Sequence, residues 1–160
     1  MGVGAIDSIG DAQLAAFHSV ELMSEVGERF AWSRSPDAPA VMIVNWGSWC
    51  GACLGELPHL ARLQAQMGSK LRVLLLSMPE HWDADRAYVH AHGLPFALYV
   101  PHFANQEERL AVRFSRTRPD GTIVTAFPVT TLWTGDGRFV RGTIGSMDWQ
   151  DADVATVAAK

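Results

Sequence analysis

Two cysteines three positions apart, Cys50 and Cys53, are the only cysteines among the 160 residues, and they sit in the stretch Trp46-Gly47-Ser48-Trp49-Cys50-Gly51-Ala52-Cys53. A C-x-x-C pair can close a small disulfide loop. Where the first cysteine opens a helix, the helix N-terminus favours its thiolate, the reactive form. Attack by that sulfur on a disulfide gives a mixed disulfide, and the second cysteine, one helical turn on, resolves it. The same two side chains are also half of a tetrahedral metal site, which needs two further ligands. There is no second C-x-x-C. The six histidines, His18, His59, His81, His90, His92 and His102, include one i, i+2 pair but no H-x-x-x-H. Redox chemistry is therefore favoured over metal binding, and no histidine is assigned to catalysis.

The elements around the pair suit that chemistry. The short apolar run Val41-Met42-Ile43-Val44 reads as a buried strand leading into the cysteine stretch. After it, Leu54, Leu57, Leu60, Ala61 and Met67 keep helical spacing up to Gly68, with Pro58 expected to kink the helix. A strand over Leu71–Leu76 follows, then a helix from about Asp83, read as its N-cap, to His92, closed by Gly93. Further on the pattern predicts a short strand from Phe96 to Val100, a helix from Asn105 to Phe114 and a turn at Pro119-Asp120-Gly121. A hairpin is expected next, Val129–Trp133 and Arg138–Ile144 about the turn Gly135-Asp136-Gly137. The tail from Asp148 to Ala159 is expected to form a closing helix. Upstream, Leu14, Phe17, Leu22, Val26 and Phe30 recur at roughly helical spacing and predict one amphipathic helix from Asp11 to about Phe30. Strands alternating with helices, then a hairpin, imply an α/β sandwich with a sheet of mixed direction.

Composition narrows the classes. The length suits one domain with its own core, read as residues 1–160 with a helical extension over 1–35 and a core over 40–160. The net charge is −4 and no run of Lys and Arg offers a stripe for phosphates, which argues against nucleic acid as a partner. No stretch reaches the roughly 18 apolar residues of a bilayer span, and the opening MGVGAIDSIGDAQ lacks the basic and apolar regions of a signal peptide.

The stretch Asn45 to Cys53, with Trp directly before the first cysteine, resembles the active-site segment of the thioredoxin superfamily. Pro58 matches the bend in that family's helix. Phe127-Pro128-Val129-Thr130 is similar to the segment whose cis-proline faces the cysteines. Within the superfamily, W-x-S-W-C, Glu56-Leu57-Pro58 and His92-Gly93-Leu94-Pro95-Phe96 resemble the TlpA/ResA-like extracytoplasmic thiol reductases, over roughly Ala40 to Ile144. The lead-in helix and the long connection from Arg113 to Thr125 depart from that branch.

The resemblance implies a thioredoxin fold, a central mixed sheet flanked by helices, here with an extra N-terminal helix. It implies that Cys50 attacks and Cys53 resolves. Cytoplasmic thioredoxins carry a buried aspartate where this chain has Val44, so the acid–base group is expected to be Glu56, matching a glutamate that the branch keeps beside its cysteines. Substrate docking falls to Trp49, Gly51, Ala52, Phe127 and Pro128, with Trp46 read as core. No metal and no cofactor beyond the Cys50–Cys53 couple is expected. The implied partners are protein disulfides or thiols and a membrane-bound thiol reductant, with the chain a monomer. Placement is implied to be periplasmic or otherwise extracytoplasmic, with a signal or anchor outside this sequence. Two rivals remain: an oxidase that introduces disulfides, and a non-catalytic module whose cysteines hold Cu(I) or Zn. A peroxide-reducing relative is disfavoured by the absence of that family's Thr-x-x-Cys arrangement.

Overall fold

The computed structural model describes residues 4–35 and 37–145. Its elements are β1 (Gly4–Ile6), α1 (Asp11–Ser19), β2 (Glu21–Ser24), β3 (Ala40–Asn45), α2 (Gly51–Met67), β4 (Leu71–Leu76), α3 (Trp82–His92), β5 (Ala97–His102), α4 (Gln106–Val112), β6 (Arg116–Thr117), β7 (Ile123–Val124), β8 (Val129–Trp133) and β9 (Phe139–Ile144). One seven-stranded sheet runs β1-β9-β8-β3-β4-β5-β2, and β6 pairs with β7 apart from it. The β3·β4 and β4·β5 pairs are parallel and the other pairs are antiparallel, which is the mixed sheet expected.

All six residues of β3 are buried, as a strand covered on both faces requires. Alternation sends Met42 and Val44 to one face, with Leu57, Leu60 and Leu63 of α2 and Val89 of α3. It sends Val41 and Ile43 to the other, with Phe17 of α1 and Val112 of α4. Each fully buried Leu or Ile in these layers contributes about 1.5–3 kcal/mol through area removed from water. Asn45 stands opposite Leu76 in the parallel β3·β4 pair and opposite Val129 in the antiparallel β3·β8 pair. The chain leaving β3 therefore emerges at the carboxyl ends of the central parallel strands, where open α/β sheets place their sites.

Two expectations are corrected. The described part of residues 1–35 is not one helical extension: α1 ends at Ser19, β2 pairs antiparallel with β5 and β1 pairs antiparallel with β9, so this stretch supplies both edges of the sheet. Val20 is extended, and Gly27, with φ 83°, turns the chain so that Phe30 donates its N–H back to Leu22. The apparent helical stripe mixed a helix with a strand and its return. Val26, placed on the stripe, is 75% exposed. In α3, the helix begins at Trp82 after an N-cap at His81 that makes no side-chain cap bond, so Asp83 is an exposed first-turn residue and not the cap. The expected closing helix from Asp148 to Ala159 lies outside the described residues.

Candidate active site

Cys50 is the N-cap of α2. Its backbone is extended, at φ −99° and ψ 109°, and its Sγ accepts the N–H of Cys53 at 3.3 Å. That bond satisfies one of the amide donors a helix start leaves open, with sulfur doing what Ser or Asp oxygens usually do. The Cys50 N–H donates to the Gly47 carbonyl at 3.0 Å, and the Cys50 carbonyl accepts the Leu54 N–H at 3.0 Å, so the residue is held on both sides. Past it the helix runs through Pro58 to Met67.

Both cysteines are free thiols, Cys50 half-buried and Cys53 buried at 2% exposure. Burial pushes the Cys53 thiol well above its ordinary value. A hydrogen bond to the Cys50 side chain adds to the rise, the Gly47 backbone pulls the other way, and the charges of Cys50 and Glu56 push it up further. The pair is thus asymmetric: one sulfur reaches the surface, and the other is kept protonated behind it. Glu56, one turn after Cys53, is buried at 2% exposure with its charge acting on that thiol.

The Phe127–Pro128 peptide bond is cis, and the pairing of Asn45 with Val129 brings this segment to the point where the chain leaves β3. Phe127 and Cys50 pack against the same core cluster beneath α2. The Trp49 ring is 52% exposed, stands edge-on to Phe127 at a centroid distance of 5.0 Å and lies 5.7 Å from the His81 ring. Gly47 makes room for it, since a Cβ there would come within 2.4 Å of the Trp49 indole nitrogen. Gly51 and Ala52 are exposed on the first turn of α2. Cys50, Trp49 and Phe127 therefore form one partly apolar surface, with Pro128 buried beside it. Trp46 is fully buried, edge-on to Tyr88 at 6.2 Å, and belongs to the core.

Two buried charged residues escaped the sequence reading. Asp85 is fully buried and accepts hydrogen bonds from the Ser48 N–H at 2.9 Å and the Ser48 hydroxyl at 2.6 Å, and a short one from the Ser77 hydroxyl. The signal was present in its spacing: Asp85 lies four residues before the buried Val89, on the face of α3 that must enter the core. Arg113, also buried, donates to the Met78 sulfur at 3.1 Å, and burial lowers its ordinary value. The connection from Arg113 to Thr125 contains the β6–β7 hairpin, closed by Arg118 N–H to Thr122 carbonyl and tied to its base by Ser115 and Thr125 at 2.5 Å. Among the described residues no group of three or more His, Cys, Asp or Glu side chains is placed to hold a metal ion.

No protein-family model and no curated protein sequence matches the chain. Solved structures do. StoA from Bacillus subtilis superposes with a TM-score of 0.59 at 17% identity, over 90% of this chain and 97% of that one. The pneumococcal exposed lipoprotein thioredoxin Etrx1 from Streptococcus pneumoniae gives 0.61 at 21% identity, over 88% and 98%. A secreted Mycobacterium tuberculosis disulfide oxidoreductase, described as homologous to DsbE of E. coli, gives 0.59 at 17% identity, over 94% and 100%. The likeness over nearly the whole of each partner establishes the thioredoxin fold for this chain.

Proposed function

We propose that the chain is a thiol–disulfide oxidoreductase that reduces disulfide bonds in proteins outside the cytoplasm, with the Cys50–Cys53 couple as its whole redox apparatus. The observation that carries this reading is the asymmetry of the pair: Cys50 reaches the surface at the mouth of α2 while Cys53 is buried with its thiol held protonated. In a two-step exchange the first sulfur must meet the substrate and the second must wait.

The Cys50 thiolate attacks a substrate disulfide, forming a Cys50–substrate bond and releasing one substrate sulfur as thiolate. Bond formation removes the charge and the acceptor strength of the Cys50 sulfur. Two of the causes holding the Cys53 thiol up, the hydrogen bond to Cys50 and the Cys50 charge, are thereby withdrawn at the moment Cys53 is needed. Cys53 then gives its proton to the Glu56 carboxylate and attacks the Cys50 sulfur, expelling the second substrate thiolate. Two electrons pass to the substrate and the couple leaves as a disulfide. A membrane-bound thiol reductant is proposed to restore it.

Trp49, Gly51, Ala52 and Phe127 form the proposed docking surface, with the buried Pro128 shaping the backbone beside it and the exposed Trp49 ring against Phe127 supplying its apolar part. The extracytoplasmic placement is supported by two structures of like fold, one an exposed lipoprotein and one secreted. Purified protein is expected to accelerate the reduction of insulin disulfides by dithiothreitol, with Cys50→Ser inactive. The couple is expected near the thioredoxin potential of about −270 mV, and a value near the roughly −120 mV of strong oxidants would reverse the proposed direction.

A further inference from the structure

The exchange chemistry makes no use of Asp85, yet its carboxyl group has no solvent exposure and, among the described residues, no ion pair joins it to a cation. A carboxyl group so buried is costly to keep unless hydrogen bonds replace its water. Three donors do so, and where they come from is informative. One oxygen takes both the backbone N–H and the hydroxyl of Ser48, and the other takes the hydroxyl of Ser77. Ser77 follows directly on β4 and is fixed by donating its N–H to the Tyr99 carbonyl of β5 at 2.8 Å. Asp85 thus joins α3, the end of β4 and the loop that delivers Cys50.

That loop makes few other backbone hydrogen bonds to the body of the fold. Trp46 donates its N–H to the Leu76 carbonyl at a long 3.4 Å, and the Cys50 N–H bonds within the loop, to Gly47. Trp46 is anchored in the core and Trp49 packs on Phe127 and His81, and between them the grip on Ser48 ties the chain to α3 by hydrogen bonds. Ser48 is held at backbone and side chain at once, so the carboxylate sets the direction in which Trp49 and Cys50 leave.

We propose that Asp85 is the positioning residue of the reactive loop: by clamping Ser48 it sets the Cys50 sulfur against the N-terminus of α2 and the Trp49 ring against Phe127. Its consequence for catalysis rests on the oxidoreductase reading; the clamp itself does not. A role in stability alone needs only the tie between α3 and β4 through Ser77. A positioning role needs the two bonds to Ser48.

The test is alkylation of Cys50 by iodoacetamide across pH, in a Cys53→Ser background that leaves one thiol, with the thermal midpoint measured in parallel. Asp85→Ala is expected to slow alkylation at neutral pH about tenfold, as the sulfur leaves the helix mouth. Asp85→Asn keeps one oxygen for both Ser48 donors, while the Ser77 hydroxyl turns to accept from the amide; it is expected to stay within about threefold of the parent. Ser77→Ala should lower the thermal midpoint yet change the rate less than about twofold, whereas Ser48→Ala should slow it about threefold or more. A folded Asp85→Ala variant with the parent's rate and profile would overturn the proposal. Should that variant not fold, equal effects of Ser48→Ala and Ser77→Ala would overturn it instead. Because alkylation requires no substrate disulfide, a parent protein inactive on insulin would sink the oxidoreductase reading while leaving this result standing.

Discussion

A buried thiol whose proton is held more tightly in the fold than in the unfolded chain makes stability depend on pH, and Cys53 provides the case. Its value is raised, chiefly by burial, at 2% exposure, so above the ordinary thiol range of about 8.5 the unfolded chain sheds a proton that the folded chain keeps. The folded state then binds more protons than the unfolded one, and unfolding free energy falls as pH rises. The stability is fully present below the ordinary thiol value and is lost as pH climbs above it. For one proton the slope approaches about 1.4 kcal/mol per pH unit, a loss of about 2 kcal/mol by about pH 10. Denaturant unfolding under reductant, followed by tryptophan fluorescence, would measure it in the native protein and in Cys53→Ser. Every other titrating group is common to both, so the difference between the two curves isolates the thiol. Curves that stay parallel from neutral pH to about pH 10 would refute the claim that Cys53 is held protonated.

Removing the Glu56 charge should ease ionisation of Cys53, because that charge now raises it. Glu56→Gln should therefore lower the Cys53 value, by less than burial raises it, read from ultraviolet thiolate absorbance in a Cys50→Ser background; no shift would remove Glu56 from the proton path. Trp49→Ala takes away a half-exposed ring, so it is expected to weaken docking of a protein disulfide by about 1–2 kcal/mol, seen in KM, while unfolding stability changes by less than about 1 kcal/mol. Leu60→Ala empties a fully buried site beneath the sheet and should cost about 2–5 kcal/mol in denaturant unfolding with the order of cysteine reactivity unchanged.

What could be read from the residues alone follows from how local its causes are. Val41 to Val44 and Val73 to Leu76 announce buried strands because central parallel strands bury both faces and need unbroken apolar runs. The start of α2 at the cysteines, the start of α4 near Asn105 and the left-handed Gly93 closing α3 are legible for the same reason, each being a local demand of a helix end. The N-terminal stretch misled because Leu22 and Phe30 are buried by a strand and its returning turn, and their separation imitates a helical repeat. Asp85 went unseen because its meaning depends on Ser48 and Ser77, 37 and 8 residues away, and long-range hydrogen bonding leaves no period in a sequence. The cis geometry at Pro128 entered only through resemblance, since most X-Pro bonds are trans.

The central claim is that Cys50 meets the substrate and Cys53 releases it, and covalent trapping tests this most directly. Cys53→Ser incubated with a protein disulfide under non-reducing conditions is predicted to accumulate a mixed disulfide through Cys50, visible by intact mass, while Cys50→Ser accumulates none. A stable adduct on Cys53 in the Cys50→Ser variant, or no adduct in either, would contradict the account.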